Sequence, residues 1–206
     1  MTRVIAYIDG FNLYFGLKSK SWKRLYWLSP GRLAGNLLKP DQVLVATKYF
    51  TSRISPTPRD PDKPKRQTTW LEAVELEAGT VIHYGHYLGK TVTCRSCGAS
   101  WSSPEEKMTD VKIAIELLKD AYEDAFDVAI IVSGDSDLAP AIQAVRAGRP
   151  GKRLIVASPP DRESKKLESV ATASFRIGRK KLVDSQLPDE VVKPDGFILR
   201  RPTKWN

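Results

Sequence analysis

The segment FDVAIIVSGDSDLAPAIQAVRAG, from Phe126 to Gly148, shows the unit from which the fold is built. Its first residues form a short, mostly apolar run with the length and β-branched composition of a buried strand. After a turn that contains Asp135 and Asp137, apolar residues recur at helical spacing. A buried strand that leads into a helix is typical of a parallel sheet covered by helices. The segment therefore predicts an α/β fold, and it raises the question of why two carboxylates follow a core strand.

The same alternation of strand and helix patterns recurs along the chain. Further strands are predicted at RVIAYID, QVLVATKYF, TVIHYGHYLG (with a break at Gly85), KRLIVASP and SFRIGR. Helices are predicted at GFNLYFGLKS, PGRLAGNLLKP, TWLEAVELEAG, PEEKMTDVKIAIELLKDAYEDA (from Pro104) and SKKLESVATA. Because strands alternate with helices, we expect a mainly parallel central sheet with helices on both faces.

The length of 206 residues suits one domain with additional segments. We predict that this domain spans residues 1–185 and includes a polar insertion at 90–103, which carries both cysteines. Residues 186–206 are interrupted by prolines and are predicted to form a C-terminal tail. The segment from Ser55 to Gln67 contains four prolines and no apolar periodicity, so it is predicted to be an exposed, mobile loop.

The chain is basic, with 33 Lys and Arg against 24 Asp and Glu and a formal net charge of +9. This excess suits a polyanionic partner, most often nucleic acid, although a merely solubilising basic surface has the same composition. No apolar stretch has the length of a bilayer span, and the N-terminal residues do not form a signal peptide, so no membrane contact is predicted. The two cysteines suit a reducing, cytoplasmic location. Whether two copies form a homodimer is left open.

Four aspartates are predicted to meet at one edge of the sheet. Asp9 ends the first strand, Asp135 and Asp137 follow the fourth, and Asp110 lies in the first turns of a long helix. Ligands bind at the carboxyl ends of parallel strands, where the strand order reverses. Clustered carboxylates repel each other unless a cation lies among them, and an oxygen-only set suits Mg²⁺ or Mn²⁺. For each acid alone, the alternative is a helix cap or a favourable first-turn charge.

Three segments, YIDGFNLY, EEKMTDVKIA and IIVSGDSDLAPAI, resemble the signature segments of NYN domains of the LabA-like group, which are relatives of PIN-domain nucleases. The resemblance extends over residues 3–177 in matching order and spacing. It implies a PIN-like, Rossmann-like three-layer α/β/α sandwich that cleaves RNA, or sometimes DNA, with Mg²⁺ or Mn²⁺. The implied metal ligands are Asp9, Asp110, Asp135 and Asp137, with Asn12 and Ser133 lining the site. Leu138 departs from the family pattern, in which an aromatic residue is common.

These residues suit a metal-dependent nuclease, in which Asp9 and Asp135 bind the ion directly and Asp110 and Asp137 bind through water or hold a second ion. The ion would lower the pKa of a water that attacks phosphorus and would neutralise the leaving oxygen. Two alternatives stay open. One is a nucleic-acid-binding module with a vestigial site, and the other is a phosphohydrolase of the haloacid-dehalogenase type, suggested by the D-x-D pattern.

Cys94 and Cys97 have the spacing of a zinc knuckle, but a tetrahedral site needs two further ligands. His83 and His86 lie just upstream and are the candidates. Residues three apart on a regular strand point to opposite faces, so a bulge or turn at Gly85 would be needed to bring both histidines to the cysteines. The alternative to a structural zinc site is a reduced cysteine pair that tightens a hairpin.

Basic and aromatic residues occur together in two regions near the acids. The basic candidates for substrate binding are Arg53, Lys63, Lys65, Arg66 and, three residues before Asp110, Lys107. The aromatic residues Tyr14, Trp22, Tyr26 and Trp27 follow the first acidic segment. This combination suits single-stranded nucleic acid, with phosphates on the cations and bases on the rings. A solvated loop and rings packed in the core are the alternatives.

Overall fold

Strands and helices alternate along the chain. The structure is a computed structural model that describes residues 1–94 and 96–205, without the side chains of residues 86–92 and 101–107. In chain order the elements are β1 (Thr2–Asp9), α1 (Gly10–Ser19), α2 (Pro30–Asn36), β2 (Gln42–Thr51), α3 (Lys63–Glu75), β3 (Thr80–Tyr84), β4 (His86–Thr93), β5 (Ser100–Lys107), α4 (Thr109–Tyr122), β6 (Val128–Val132), α5 (Ala139–Gly148), β7 (Arg153–Ser158), α6 (Lys165–Val170), β8 (Ala173–Arg176), α7 (Arg179–Val183), β9 (Glu190–Val192) and β10 (Ile198–Arg200). Within the described residues, no helix is both long and apolar enough to cross a membrane.

Six parallel strands form the central sheet in the order β3-β2-β1-β6-β7-β8. The chain first adds strands outward from β1 to β3. It then returns to the other side of β1 with β6 and adds β7 and β8 outward from there. The strand order therefore reverses between β1 and β6, and such a reversal opens a crevice at the carboxyl ends of these two strands.

The sheet separates two hydrophobic cores, which accounts for the unbroken apolar pattern of its strands. On β1, Val4, Ala6 and Ile8 belong to the first core, whereas Ile5 and Tyr7 belong to the second. Helices α1, α2, α3 and α7 contribute to the first core, and helices α4, α5 and α6 contribute to the second. The predicted three-layer α/β/α sandwich with a mainly parallel sheet is confirmed.

The region between β3 and α4 differs from the prediction. The helical pattern begins at Pro104, but α4 begins at Thr109, and the preceding residues form β5. This strand pairs antiparallel with β4, from His86 opposite Lys107 onwards. Met108, with a φ of 80°, then turns the chain into the helix. The polar residues 90–103 thus belong to a longer hairpin, because strand pairing outweighs the local helical tendency of this segment.

The loop formed by the proline-rich segment after β2 is shorter than predicted. Its last residues, from Lys63 to Gln67, form the first turns of α3, with Pro64 in the first turn. Proline fits there because the first amide groups of a helix have no intrahelical partner. Gln67 holds the start of the loop, since its side chain accepts from the Ile54 nitrogen at 3.0 Å and donates to the Ser52 carbonyl at 2.9 Å.

The residues after 185 pack on the rest of the chain. Leu187 and Leu199 are buried in the first core. The indole nitrogen of the fully buried Trp27 donates to the Pro188 carbonyl at 2.6 Å. Strands β9 and β10 form an antiparallel pair, and β10 contacts α3. Trp205 lies against Trp27, with ring centroids 6.3 Å apart. The segment predicted as a tail therefore completes one of the two cores.

Candidate active site

The chain turns from β1 into α1 at Asp9, whose carboxylate accepts three hydrogen bonds. Its Oδ1 accepts from the Asn12 backbone nitrogen at 3.0 Å, as an N-cap. Its Oδ2 accepts from Asn12 Nδ2 at 2.6 Å and from Ser133 Oγ at 2.8 Å. The residue is only 2% exposed. Asp9 thus caps α1, as the alternative interpretation supposes, and its carboxylate is also held in one orientation.

Ser133 and Asn12 join the end of β1 to the turn after β6. Ser133 is fully buried, and its hydroxyl donates to Asp9 while accepting from the Asp135 nitrogen at 3.0 Å. The side-chain oxygen of Asn12 accepts from the Gly134 nitrogen at 3.3 Å. Two segments that lie 124 residues apart in sequence are thereby fixed beside each other. The carboxyl ends of the two strands at the point of reversal share one polar network.

The two carboxylates of the turn after β6 differ in exposure. Asp135 is half-buried and caps the short 3-10 turn Ser136–Leu138, because its Oδ1 accepts from the Asp137 nitrogen at 3.0 Å. Asp137 is exposed. Leu138, at the position where the resembled family commonly has an aromatic residue, is buried in the second core. Its side chain therefore packs below the turn and does not line it.

Two glycines allow the elements around the site to approach closely. A Cβ atom at Gly134 would overlap the carbonyl oxygen of Arg162 and would lie 2.7 Å from the carbonyl carbon. A Cβ atom at Gly10 would overlap the Tyr49 hydroxyl and would lie 2.7 Å from the Phe50 carbonyl oxygen. The loop after β7, which contains Arg162, therefore closes tightly over the turn after β6. No sequence motif signals this contribution.

The charges of neighbouring aspartates act on Asp110 and on Asp9. Burial, followed by the negative charges of the other three aspartates, raises the pKa of Asp110 to about 6. Burial also raises the pKa of Asp9, against the hydrogen bonds from Asn12 and Ser133, and the charge of Asp135 adds to the rise. Among the residues that the structure describes, none of the four forms an ion pair with Lys or Arg. Negative charge is therefore concentrated at this edge.

The chemical type of the ligand atoms at this edge suits a hard divalent cation. They are carboxylate oxygens with amide and hydroxyl oxygens beside them, which Mg²⁺ and Mn²⁺ prefer. A divalent cation would also offset the repulsion that contributes to the raised pKa of Asp110. However, the described part of the chain contains no group of three or more Asp, Glu, His or Cys side chains already arranged to hold one ion. The acids would have to converge when an ion binds.

We expect the Asp110→Asn variant to be more stable than the wild type at pH 7. The folded-state pKa of about 6 lies above the ordinary value of 3.8, so the folded protein keeps a proton that the unfolded chain has released. The contribution of Asp110 to the free energy of unfolding therefore falls as pH rises through this window and is lowest above it. The full rise corresponds to about 3 kcal/mol, which solvent screening of a half-buried carboxyl reduces to about 1 kcal/mol.

Urea unfolding of both proteins at pH 4 and pH 7, without divalent ions, measures this effect. The stability gain of Asp110→Asn should be present at pH 7 and should shrink towards pH 4. Asp41→Asn is a matched control, because Asp41 is exposed and precedes β2 at the opposite edge of the sheet. A gain that does not depend on pH would show that the pKa of Asp110 is not raised in the folded protein.

Of the four residues considered as zinc ligands, His83 lies apart from the two cysteines. His83 lies on β3 and stacks on Phe50, with ring centroids 4.7 Å apart. Cys94 and Cys97 are free and lie in the turn between β4 and β5. The eight residues of β4 separate them from His83, about 26 Å of extended chain. The side chain of His86 lies outside the described residues. A zinc site that joins His83 to the cysteines is therefore not formed, and the cysteines occupy a hairpin turn.

The basic residues predicted to bind substrate lie in different places. Lys63 and Arg66, on α3, line a pocket beside α1. Arg53 instead lies over a tyrosine ring, 5.0 Å from its centroid. Lys65 is exposed on α3 and does not line this pocket. The side chain of Lys107 lies outside the described residues. The structure therefore gathers two of the five predicted basic residues at one pocket.

This pocket adjoins the acidic edge and is lined by aromatic rings. Its volume is about 490 Å³, and it lies between α1, the residues that follow α1, α3 and the C-terminal residues. The rings belong to Phe11, Tyr14, Phe15, Tyr26, Tyr49, Trp70 and Trp205. Of the aromatic residues that the sequence singles out, Trp27 is buried in the first core and Trp22 packs against that core from outside. No sequence pattern connects Tyr14 with Trp70 or Trp205, since they come from distant segments.

Known proteins resemble this chain in sequence and in fold. The model of the NYN domain matches residues 3–177. A curated relative, 6-hydroxy-3-succinoylpyridine 3-monooxygenase HspA of Pseudomonas putida, is 28% identical, over 70% of this chain and 56% of that protein. The chain thus spans little more than half the length of this relative.

A solved structure shows the same fold. The crystal structure of a protein of unknown function from Vibrio parahaemolyticus has a TM-score of 0.55 and 19% identity, and the match covers 90% of this chain and 96% of that chain. At this identity, the likeness concerns the fold alone. Membership of the LabA-like group stays a prediction. The match to the domain model, over most of the chain, shows that this protein belongs to the NYN domain family, within the PIN-like nuclease superfamily.

Proposed function

We propose that this chain is a metal-dependent nuclease that hydrolyses phosphodiester bonds in RNA. The observation that carries the proposal is the network at the point where the strand order reverses, in which Asn12 and Ser133 hold the Asp9 carboxylate beside the turn that contains Asp135. Membership of the PIN-like nuclease superfamily supports the reaction class. The net charge of +9 supports a polyanionic substrate.

In this proposal, the ion is held by the four aspartates, with Asp9 and Asp135 as direct ligands and Asp110 and Asp137 binding through water or holding a second ion. When bound, Mg²⁺ or Mn²⁺ supplies a water of lowered pKa and neutralises charge on the phosphate. Asn12 and Ser133 orient the Asp9 carboxylate through hydrogen bonds of 2.6 and 2.8 Å without adding charge. Without an ion, Asp110 can take up a proton near neutral pH, which relieves the repulsion.

The proposal is tested by incubating purified protein with single-stranded and structured RNA, with and without Mn²⁺. We expect Mn²⁺-dependent cleavage by the wild type and by Asp41→Asn, and no cleavage by Asp135→Asn. Asp41→Asn makes the same chemical change at the opposite edge of the sheet, so it controls for the loss of one surface carboxylate. Equal cleavage by all three proteins would indicate a contaminating ribonuclease and would contradict the proposal.

The same experiment separates this enzyme from a nucleic-acid-binding module with a vestigial site. A module would bind RNA without cleaving it, and Asp135→Asn would leave that binding unchanged. The haloacid-dehalogenase type of phosphohydrolase has less support, because its nucleophilic acid directly follows a strand. Here Ser133 and Gly134 lie between the end of β6 and Asp135.

The name of the Pseudomonas putida relative provides a second candidate, a monooxygenase that acts on 6-hydroxy-3-succinoylpyridine. The pocket beside α1 favours this candidate, since its volume and aromatic lining suit a small ring-shaped molecule. The acidic edge favours the nuclease, because an oxygen-only ligand set suits Mg²⁺ or Mn²⁺, whereas the iron of a non-haem oxygenase is held by histidine together with carboxylate. Dioxygen consumption by the purified protein, on addition of this pyridine and an electron donor, would support the monooxygenase instead.

A further inference from the structure

The pocket beside α1 is built from rings that contact one another around an open space. Tyr14 and Tyr26 have ring centroids 5.1 Å apart, and Tyr26 and Trp205 have centroids 5.8 Å apart. On another side, Tyr49 and Trp70 meet edge to face at 5.2 Å. The volume of about 490 Å³ lies within the range of roughly 300–1,000 Å³ that is usual for small-ligand sites. The lining therefore suits a planar ring.

Positive charge surrounds this pocket and is only partly neutralised. The charged lining residues are the cations Lys18, Lys23, Lys63, Arg66 and Lys204 and the single acid Asp60. Arg66 and Lys204 both pair with Asp60, at 2.5 and 3.1 Å. In the described part of the chain, neither Lys18 nor Lys63 has an ion-pair partner. Burial and the charges of Lys18 and Arg66 lower the pKa of Lys63. Cations crowded in this way favour an anionic ligand.

The pocket and the acidic site share a wall. Gly10 and Tyr49 line the pocket, and Gly10 directly follows Asp9 in the chain. The Tyr49 hydroxyl lies against Gly10, because a Cβ atom at Gly10 would overlap it. A ligand in the pocket would therefore lie beside the junction of β1 and α1, where Asp9 stands.

We propose that this pocket binds one unpaired nucleotide of the RNA substrate, with its base among the rings and its phosphate on Lys18 and Lys63. The inference rests on the proposed nuclease function and specifies its substrate as single-stranded. Aromatic rings stack on every base, and cations bind the backbone of any sequence, so the pocket selects an unpaired strand and not a particular sequence. A base that is paired and stacked in a duplex is not available to a ring-lined pocket.

The test is the binding of a short fluorescent oligouridylate in EDTA, which prevents cleavage, compared with a strand of the same length that lacks bases. We expect the wild type to bind the base-containing strand about tenfold more tightly, from stacking of one base. Tyr14→Ala should remove this preference, and Lys18→Glu should weaken the binding of both strands by about tenfold. Lys166→Glu is the charge-matched control, because Lys166 is exposed on α6 beyond the opposite face of the sheet.

Equal binding of the two strands by the wild type would overturn the proposal, and this comparison needs no variant to fold. Lys18 is exposed, so Lys18→Glu keeps the test informative if Tyr14→Ala does not fold. Uridine monophosphate that binds as tightly as the strand would identify a free nucleotide as the ligand and would overturn an RNA occupant. A base preference without Mn²⁺-dependent cleavage would support the pocket and contradict the nuclease. Mn²⁺-dependent cleavage without a base preference would support the nuclease and contradict the proposed role of the pocket.

Discussion

Asp9→Asn is expected to reduce Mn²⁺-dependent RNA cleavage at least about 100-fold, the usual cost of removing one electrostatic contact from a transition state. The substitution removes the charge of a carboxylate that three hydrogen bonds orient at the carboxyl end of β1. The fold should persist, because asparagine has the same size and remains a good N-cap for α1 through its oxygen. Initial cleavage rates and far-ultraviolet circular dichroism measure the two effects.

Asp41→Asn should retain the wild-type cleavage rate in the same assay, since Asp41 directly precedes β2, at the edge of the sheet opposite the four aspartates. If Asp9→Asn folds and cleaves at the wild-type rate, Asp9 is only a helix cap and the proposed metal site is wrong. A smaller loss is expected for Ser133→Ala, which removes one hydrogen bond to the Asp9 carboxylate but leaves its charge. The contrast between the two variants separates the charge of Asp9 from its orientation.

Gly134→Ala is expected to destabilise the protein by about 3 kcal/mol, the upper end of the usual cost of overpacking. The new methyl group would overlap the carbonyl oxygen of Arg162, which is backbone and cannot rotate away. The backbone nitrogens of Gly134 and Asp135 donate to the side-chain oxygens of Asn12 and Ser133, and these bonds hold the turn in place, so a shift of the turn alone cannot relieve the strain. Urea unfolding measures the loss, and RNA cleavage should fall as Asp135 is displaced.

Gly35→Ala provides a control of opposite sign. Gly35 lies in α2, and a Cβ atom there would meet no atom within 4 Å. Alanine is the better helix former, so this variant should be more stable by about 0.5–1 kcal/mol. If Gly134→Ala were as stable as the wild type, the loop that contains Arg162 would move readily, and its close packing over the turn would not position Asp135.

The acidic edge is a place where function and stability oppose each other. Burial of Asp110 and the charges of the three other aspartates, which have no Lys or Arg partners in the described chain, raise the free energy of the folded state and the pKa of Asp110. The hydrogen bonds from Asn12 and Ser133 to Asp9 lower that cost but do not remove it. Replacing Asp110 should therefore stabilise the fold and abolish cleavage together. This is the pattern expected of a binding site for a divalent cation and not of a set of helix caps.

The sequence by itself determined the fold class, because apolar runs of strand length alternate with amphipathic helical patterns and this information is local. The three segments around Asp9, Asp110 and Asp135 also identified the family, since each segment by itself resembles one of the family's signature segments. Local patterns failed where pairing decided the outcome. Residues 104–107 joined a hairpin, although the helical pattern begins with them. Lys63–Gln67 joined α3, although prolines precede and interrupt them.

Only the tertiary structure decided which distant residues meet. In the tertiary structure, Ser133 donates a hydrogen bond to Asp9, and His83 stacks on Phe50, apart from the two cysteines. Trp205 lines the same pocket as the rings of α1 and α3. Such contacts depend on strand order and on close approach at positions such as Gly134, where a carbonyl oxygen from another loop occupies the space of a side chain. A local sequence pattern predicts neither the strand order nor these close approaches, because both depend on how segments far apart in the chain pack against each other.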